Sequence, residues 1–145
     1  MKKIVLVSFL SLLISTACFA EQKVSEGIYE VHYNAFTSTF LPLEVAKAYQ
    51  IGRSKNRGLL NISVLKNMDG TNVATKAKIE IKAKNLLGQD KKVDLQEIVE
   101  SEEAVYYLGK FAISDNEDIT FNISVVPEGS NKPIQFKYAK EFFTQ

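Results

Sequence analysis

Polar and apolar residues alternate along most of this chain, and that period of two is the mark of strands with one buried face. Tyr29, Val31, Tyr33 and Ala35 share an apolar side, while Ile28, Glu30, His32, Asn34 and Phe36 take the mixed side opposite. The cleanest run sets Val73, Thr75, Ala77, Ile79, Ile81 and Ala83 against Ala74, Lys76, Lys78, Glu80, Lys82 and Lys84, a core face against a solvated charged one. Leu59 to Leu65, Lys92 to Ile98, Ile119 to Val126 and Ile134 to Phe142 read as further strands. Ala104 to Ile113 is apolar on both faces, which predicts a central strand, and Gly109 within it marks a bulge or a close approach. Turn-forming clusters such as Asn67-Met68-Asp69-Gly70 and Ser114-Asp115-Asn116-Glu117-Asp118 divide these segments. The expected fold is all-β: an antiparallel β-sandwich of about seven strands, immunoglobulin-like in general architecture.

The rhythm fails once, after the first strand. Thr37-Ser38-Thr39-Phe40-Leu41-Pro42 is unsuited to regular pairing, and Leu43 to Tyr49 is rich in helix formers. Proline at the start, Glu44 early and Lys47 late predict one short helix of about two turns. Gly52 to Gly58 is then a polar cationic loop leading into the next strand.

The first 20 residues change the picture of where this domain works. Lys2 and Lys3, an apolar run too short to span a bilayer comfortably, and Cys18-Phe19-Ala20 describe a cleaved export signal, so the mature domain is expected to be 21–145. In the alternative processing Cys18 is the acylated residue of a lipoprotein, although Ser15 stands where such a signal has a leucine-like residue. Lys2 and Lys3 leave with the signal and no acid does, so 18 basic residues become 16 against 17 acidic ones, a net charge of −1. That balance gives no field for nucleic acid, and no later apolar run is long enough to cross a membrane. The sole cysteine also departs, so the expected periplasmic or secreted domain is held by packing without disulfides.

Two clusters carry candidate chemistry. Glu30, His32 and Asn34 fall on one strand face, where an acid beside an imidazole suits proton transfer. A metal would need three or four ligands, and the mature chain offers one His and no Cys, so no metal or other cofactor is expected. Arg53, Ser54, Lys55, Asn56 and Arg57 bring three cations into five residues, a pattern able to hold an anion through side chains and backbone amides. It is no nucleotide loop, because leucines follow Gly58 where Lys-Ser/Thr is required. Asp115 to Asp118 lacks the ligand spacing of a calcium loop and reads as a turn. Leu60-Asn61-Ile62-Ser63-Val64 and Phe121-Asn122-Ile123-Ser124-Val125 nearly repeat, as two strands obeying one alternation would.

The segments EVHYNAF, STFL, EVAKAY and RSKNRGLLNISVLK resemble a family of exported bacterial proteins, domain-of-unknown-function family 4426. The resemblance is densest from Tyr29 to Lys66 and extends more loosely over the mature chain. It implies a bacterial envelope location and a small β-rich domain, and it brings no activity, cofactor or functional residue. The functional expectation is a non-enzymatic binding or accessory domain of the envelope. Its contact surface would be the Arg53 to Arg57 loop with Phe36 to Leu41, facing an envelope protein or an anionic ligand. The alternative is a small hydrolase or metal-assisted enzyme centred on Glu30, His32 and Asn34.

Overall fold

Two antiparallel sheets pack face to face in the computed structural model, which describes residues 22–145. The expected signal, its boundary at Glu21 and the acylation alternative at Cys18 lie outside the described residues. β1 (Gln22–Glu26) and β2 (Tyr29–Thr37) form a hairpin, and β2 leads through a 3-10 turn at Ser38–Phe40 into α1 (Leu43–Ala48). β3 (Arg57–Met68), β4 (Thr71–Ala74), β5 (Ala77–Asn85), β6 (Asp90–Lys91) and β7 (Asp94–Ser101) follow. β8 (Ala104–Ala112), β9 (Glu117–Pro127) and β10 (Ile134–Phe142) complete the chain. The first sheet runs β1-β2-β3-β8-β7, with β4 also on β3, and the second runs β10-β9-β5-β6.

Six of the seven expected strands and the helix are present, the seventh is divided, and the additions have local causes. The turn at Asp69-Gly70 has φ of 51° and 86°, the left-handed pair that closes a two-residue hairpin between β3 and β4. The long alternating run from Val73 to Lys84, expected as one strand, is two. β4 stays on β3, Thr75 and Lys76 cross the sandwich, and β5 joins β9 in the other sheet. The inward phase also changes at the crossing: Val73 is exposed and Ala74 packs on the core instead. Tyr107 of β8 pins this crossing, its hydroxyl accepting from the Ala77 amide at 2.8 Å. Because β5 neighbours β9 and β6, the acidic residues of β7 are not its hairpin partners, and Lys76 reaches Glu97 only from the crossing, at 3.6 Å.

The core is the interdigitated inner faces. Val31, Leu60, Ile62, Val64, Ile119, Phe121 and Val125 are wholly or almost wholly buried, each worth about 1.5–3 kcal/mol relative to exposure. A chain of rings bridges the sheets: Phe136 to Tyr33 at 4.5 Å, Tyr33 to Tyr138 at 5.1 Å, Phe121 to Tyr138 at 6.1 Å, and Phe111 to Phe121 and Phe142 at 5.1 and 5.4 Å. The two Asn-Ile-Ser segments lie at the middle of their sheets, with Ile62 and Ile123 both inward. Gly109 is a close approach with unbroken pairing around it: a Cβ there would stand 2.7 Å from Val93 Cγ1.

Candidate functional site

The chain between β2 and β3 folds back on itself through hydrogen bonds that its own short polar side chains provide. Ser38, fully buried, donates through Oγ to the Ser54 carbonyl and accepts from the Ser54 amide, both at 2.9 Å. Arg53 donates to the Thr39 carbonyl at 2.7 Å, and Arg57 donates to the Gly52 carbonyl. The Asn56 amide donates to Ser54 Oγ at 3.2 Å and the Arg57 amide to the Ser54 carbonyl at 3.2 Å. Asn56 also holds the end of β8, giving its Nδ2 to the Ile113 carbonyl and taking the Ile113 amide. Of the five residues picked out in this loop, then, two cations and three amides are engaged in building it. Lys55 is the loop cation that lines a cleft, together with Phe40, Lys140 and Phe143.

Helix α1 lies on the outer face of the first sheet, where the sequence places apolar residues on the normally polar side of three strands. Ala46 and Ile51 pack on Leu59, Leu108 and Ile98, with Phe36, Leu41, Tyr49 and Tyr106 at the margin. Pro42 fixes the entry, Glu44 and Lys47 match the helix dipole, and Gln50 at φ 56° turns the chain out. A groove of about 220 Å³ remains between helix and sheet, lined mainly by these apolar groups, with Asn61 and Glu100 at its rim.

The 53–57 loop and the Lys55 cleft stand at one end of the sandwich, where β2, β5, β8 and β10 finish and β3 and β9 begin. The same end collects the four most exposed large apolar side chains among the described residues: Leu87 at 84%, Leu86 at 79%, Phe40 at 64% and Phe143 at 57%. Polar ties link the segments that meet at this end. Asp115 accepts from the Thr144 amide at 2.9 Å and the Gln145 side chain at 2.8 Å, and the Thr144 bond is the main cause holding its carboxyl below the usual range. Glu117 accepts from Lys91, Asn85 and the Ser114 amide. Sequence reasoning found Phe40 and Lys55 here and passed over Leu86, Leu87 and Phe143. Paired leucines inside a turn-forming segment were the available signal.

Glu30, His32 and Asn34 do share the outer face of the first sheet, as alternation requires. His32 Nε2 lies 3.0 Å from Glu30 Oε2, and Lys23 on β1 reaches the same carboxylate at 3.4 Å. The hydrogen bond with His32 is the leading cause that holds the Glu30 carboxyl below its ordinary range. Both side chains are half-buried, with Leu65 opposite Glu30 and Ser63 opposite His32 on β3, while Asn34 stands opposite Asn61. They line neither the groove under α1 nor the cleft at Lys55. Among the described residues no group of three or more His, Cys, Asp or Glu is placed to hold a metal, and no helix is long and apolar enough to cross a membrane.

Comparison with known proteins agrees with the fold. A crystal structure of a DUF4426 family protein from Pseudomonas aeruginosa PAO1 is similar at a TM-score of 0.71 and 34% identity, covering 85% of this chain and 94% of that one. A copper-bound variant of FetP from uropathogenic Escherichia coli strain F11 shares the fold at a TM-score of 0.55 and 11% identity, over 85% of this chain and 90% of its own. No match was found among curated proteins. The family model described as "Domain of unknown function (DUF4426)" matches residues 23–145, and the chain belongs to that family.

Proposed function

We propose that this chain is an exported bacterial envelope protein acting as a non-enzymatic binding or accessory domain, with its contact surface at the loop end of the sandwich. The observation that carries this reading is the gathering of Leu86, Leu87, Phe40 and Phe143 at that end. A folded domain gains nothing from such exposure by itself, and exposed apolar side chains gathered among polar groups are what a protein partner covers. Lys55 and Lys140 in the adjoining cleft add a polar rim. The hydrogen bonds of Ser38, Arg53 and Asn56 support it further, because a pre-organised surface loses little entropy on binding. Export is supported by the composition of the first 20 residues. Strand order supports an immunoglobulin-like reading: β2-β3-β8-β7 facing β10-β9-β5 follows the A-B-E-D and G-F-C order.

The hydrolase reading has one observation in its favour, the Glu30–His32 hydrogen bond. The copper of the FetP structure belongs to that protein, and a likeness at 11% identity carries the fold alone.

Co-purification from envelope extracts tests the binding reading. The tagged wild type is expected to retain a partner that Leu87→Asp with Phe143→Asp loses, while Met68→Asp at the opposite end keeps it. Retention by the loop-end variant would refute the assignment. Loss of a measurable hydrolytic activity in His32→Ala, with partner retention unchanged in every variant, would favour the enzyme instead.

A further inference from the structure

The outer face of the second sheet holds a different kind of site. β9 runs down its middle carrying short side chains, Asn122 and Ser124, while longer ones rise from β5 and β10 on either side, so the face is a trough of about 450 Å³. Glu80, Lys82 and Gln135 line its walls. Register makes one row exceptional: Lys82, which lines the trough, and Lys137, which stands beside it on β10, are both directly opposite Asn122, one from each neighbouring strand. Strands lie about 4.8 Å apart, which sets the two lysine backbones about 10 Å from each other. On flexible four-carbon stems, both ammonium groups reach a single anion above the Asn122 amide.

These groups are also unengaged, unlike the cations of the 53–57 loop. Lys78 pairs with Glu80 at 3.8 Å and Lys84 with Asp90 at 2.7 Å. Lys82, Lys137, Asn122, Ser124 and Gln135 make no side-chain hydrogen bond or ion pair among the described residues. Elsewhere the protein uses its Asn and Ser side chains to fix turns, as at Asn67, Asn85 and Ser130.

We propose that this trough binds an acidic glycan. A carboxylate or phosphate on the sugar sits between Lys82 and Lys137 over Asn122, and neighbouring hydroxyls meet Ser124, Gln135 and the Glu80 carboxylate in the next row. The mixture of donors and acceptors selects a hydroxyl-bearing acid. Glu80, even beside Lys78, offers hydroxyls an acceptor that a bare polyphosphate has no donor to use, and the ring of the lining, Phe136, packs inward on Tyr33 and gives nucleic-acid bases no stacking platform. The trough is separate from the loop end, so it stands or falls independently of the contact surface proposed above.

Amide-resolved NMR titration of the isotope-labelled protein tests it, with hexagalacturonate and mannose 6-phosphate as acidic probes and maltohexaose and polyphosphate as controls. Saturable shifts are expected at the Asn122 side-chain amide and at residues 82, 124 and 137 with an acidic sugar, and none with maltohexaose. The double substitution Lys82→Glu with Lys137→Glu is expected to weaken binding by about tenfold or more at low salt while the remaining spectrum shows an intact fold, since both side chains are exposed. Whichever acidic sugar responds identifies the anion. No saturable shift with either, an unchanged affinity in the double variant, or equal binding of polyphosphate would overturn the proposal.

Discussion

Ser38 and Ser54, 16 positions apart, satisfy each other twice: one hydroxyl both donates to the Ser54 carbonyl and accepts from the Ser54 amide, at 2.9 Å each. This reciprocal pair, with the bond from Arg53 to the Thr39 carbonyl, holds the cationic loop against the 3-10 turn. Ser38→Ala would leave the part-buried Ser54 amide without its partner, while the Ser54 carbonyl keeps only the Arg57 amide. The expected loss is about 1–3 kcal/mol in urea unfolding, with little change for Thr39→Ala on the exposed neighbour.

Gly58 has a packing role that its place beside a polar loop conceals. A Cβ there would meet the Phe111 ring at 2.2 Å and Ile113 Cγ2 at 3.0 Å, and Phe111 is buried between Phe121 and Phe142 with nowhere to move. Gly58→Ala is expected to cost about 1–3 kcal/mol by overpacking. Chemical denaturation midpoints of this variant and wild type check it.

Acid sensitivity should trace to Glu117. Burial alone would push its carboxyl up, yet hydrogen bonds from Lys91, Ser114 and Asn85 outweigh that and hold it below the ordinary 4.5. A depressed folded value means that the stabilisation is complete above the unfolded pKa and disappears as pH falls through the lower folded one. Melting temperature followed from pH 6 to about pH 3 should therefore fall more steeply in wild type than in Glu117→Gln. Equal slopes would contradict the assignment.

The proposed export predicts a defined terminus. Intact mass of protein recovered from a bacterial host should correspond to a chain beginning at Glu21, and a lipid adduct on Cys18 would show the alternative processing instead.

Much of the fold was legible because burial imposes its period on the sequence. The runs around Val31, Ile62, Ile81 and Phe121 alternate, and a strand with one inward face has to. The short helix was legible from Pro42, Glu44 and Lys47. Alternation does not say which strand lies beside which, so the sheet change at Thr75 and Lys76 left no trace in a run that kept its period. The candidate site was half legible for a related reason. Charge at Arg53 and Arg57 is visible in sequence, whereas the carbonyls of Thr39 and Gly52 that receive it come within reach only in the folded chain. Leu87, Phe40 and Phe143 come from three distant segments, and only the antiparallel register brings them to one end.

Site-specific photo-crosslinking in the exporting cell tests the contact surface most directly. A photoreactive residue at position 87 or 143 should yield the same discrete adduct with one envelope protein, and the probe at position 68 on the opposite end should yield none. Adducts equally abundant from position 68, or absent from both loop-end positions while the protein is folded and exported, would contradict the account.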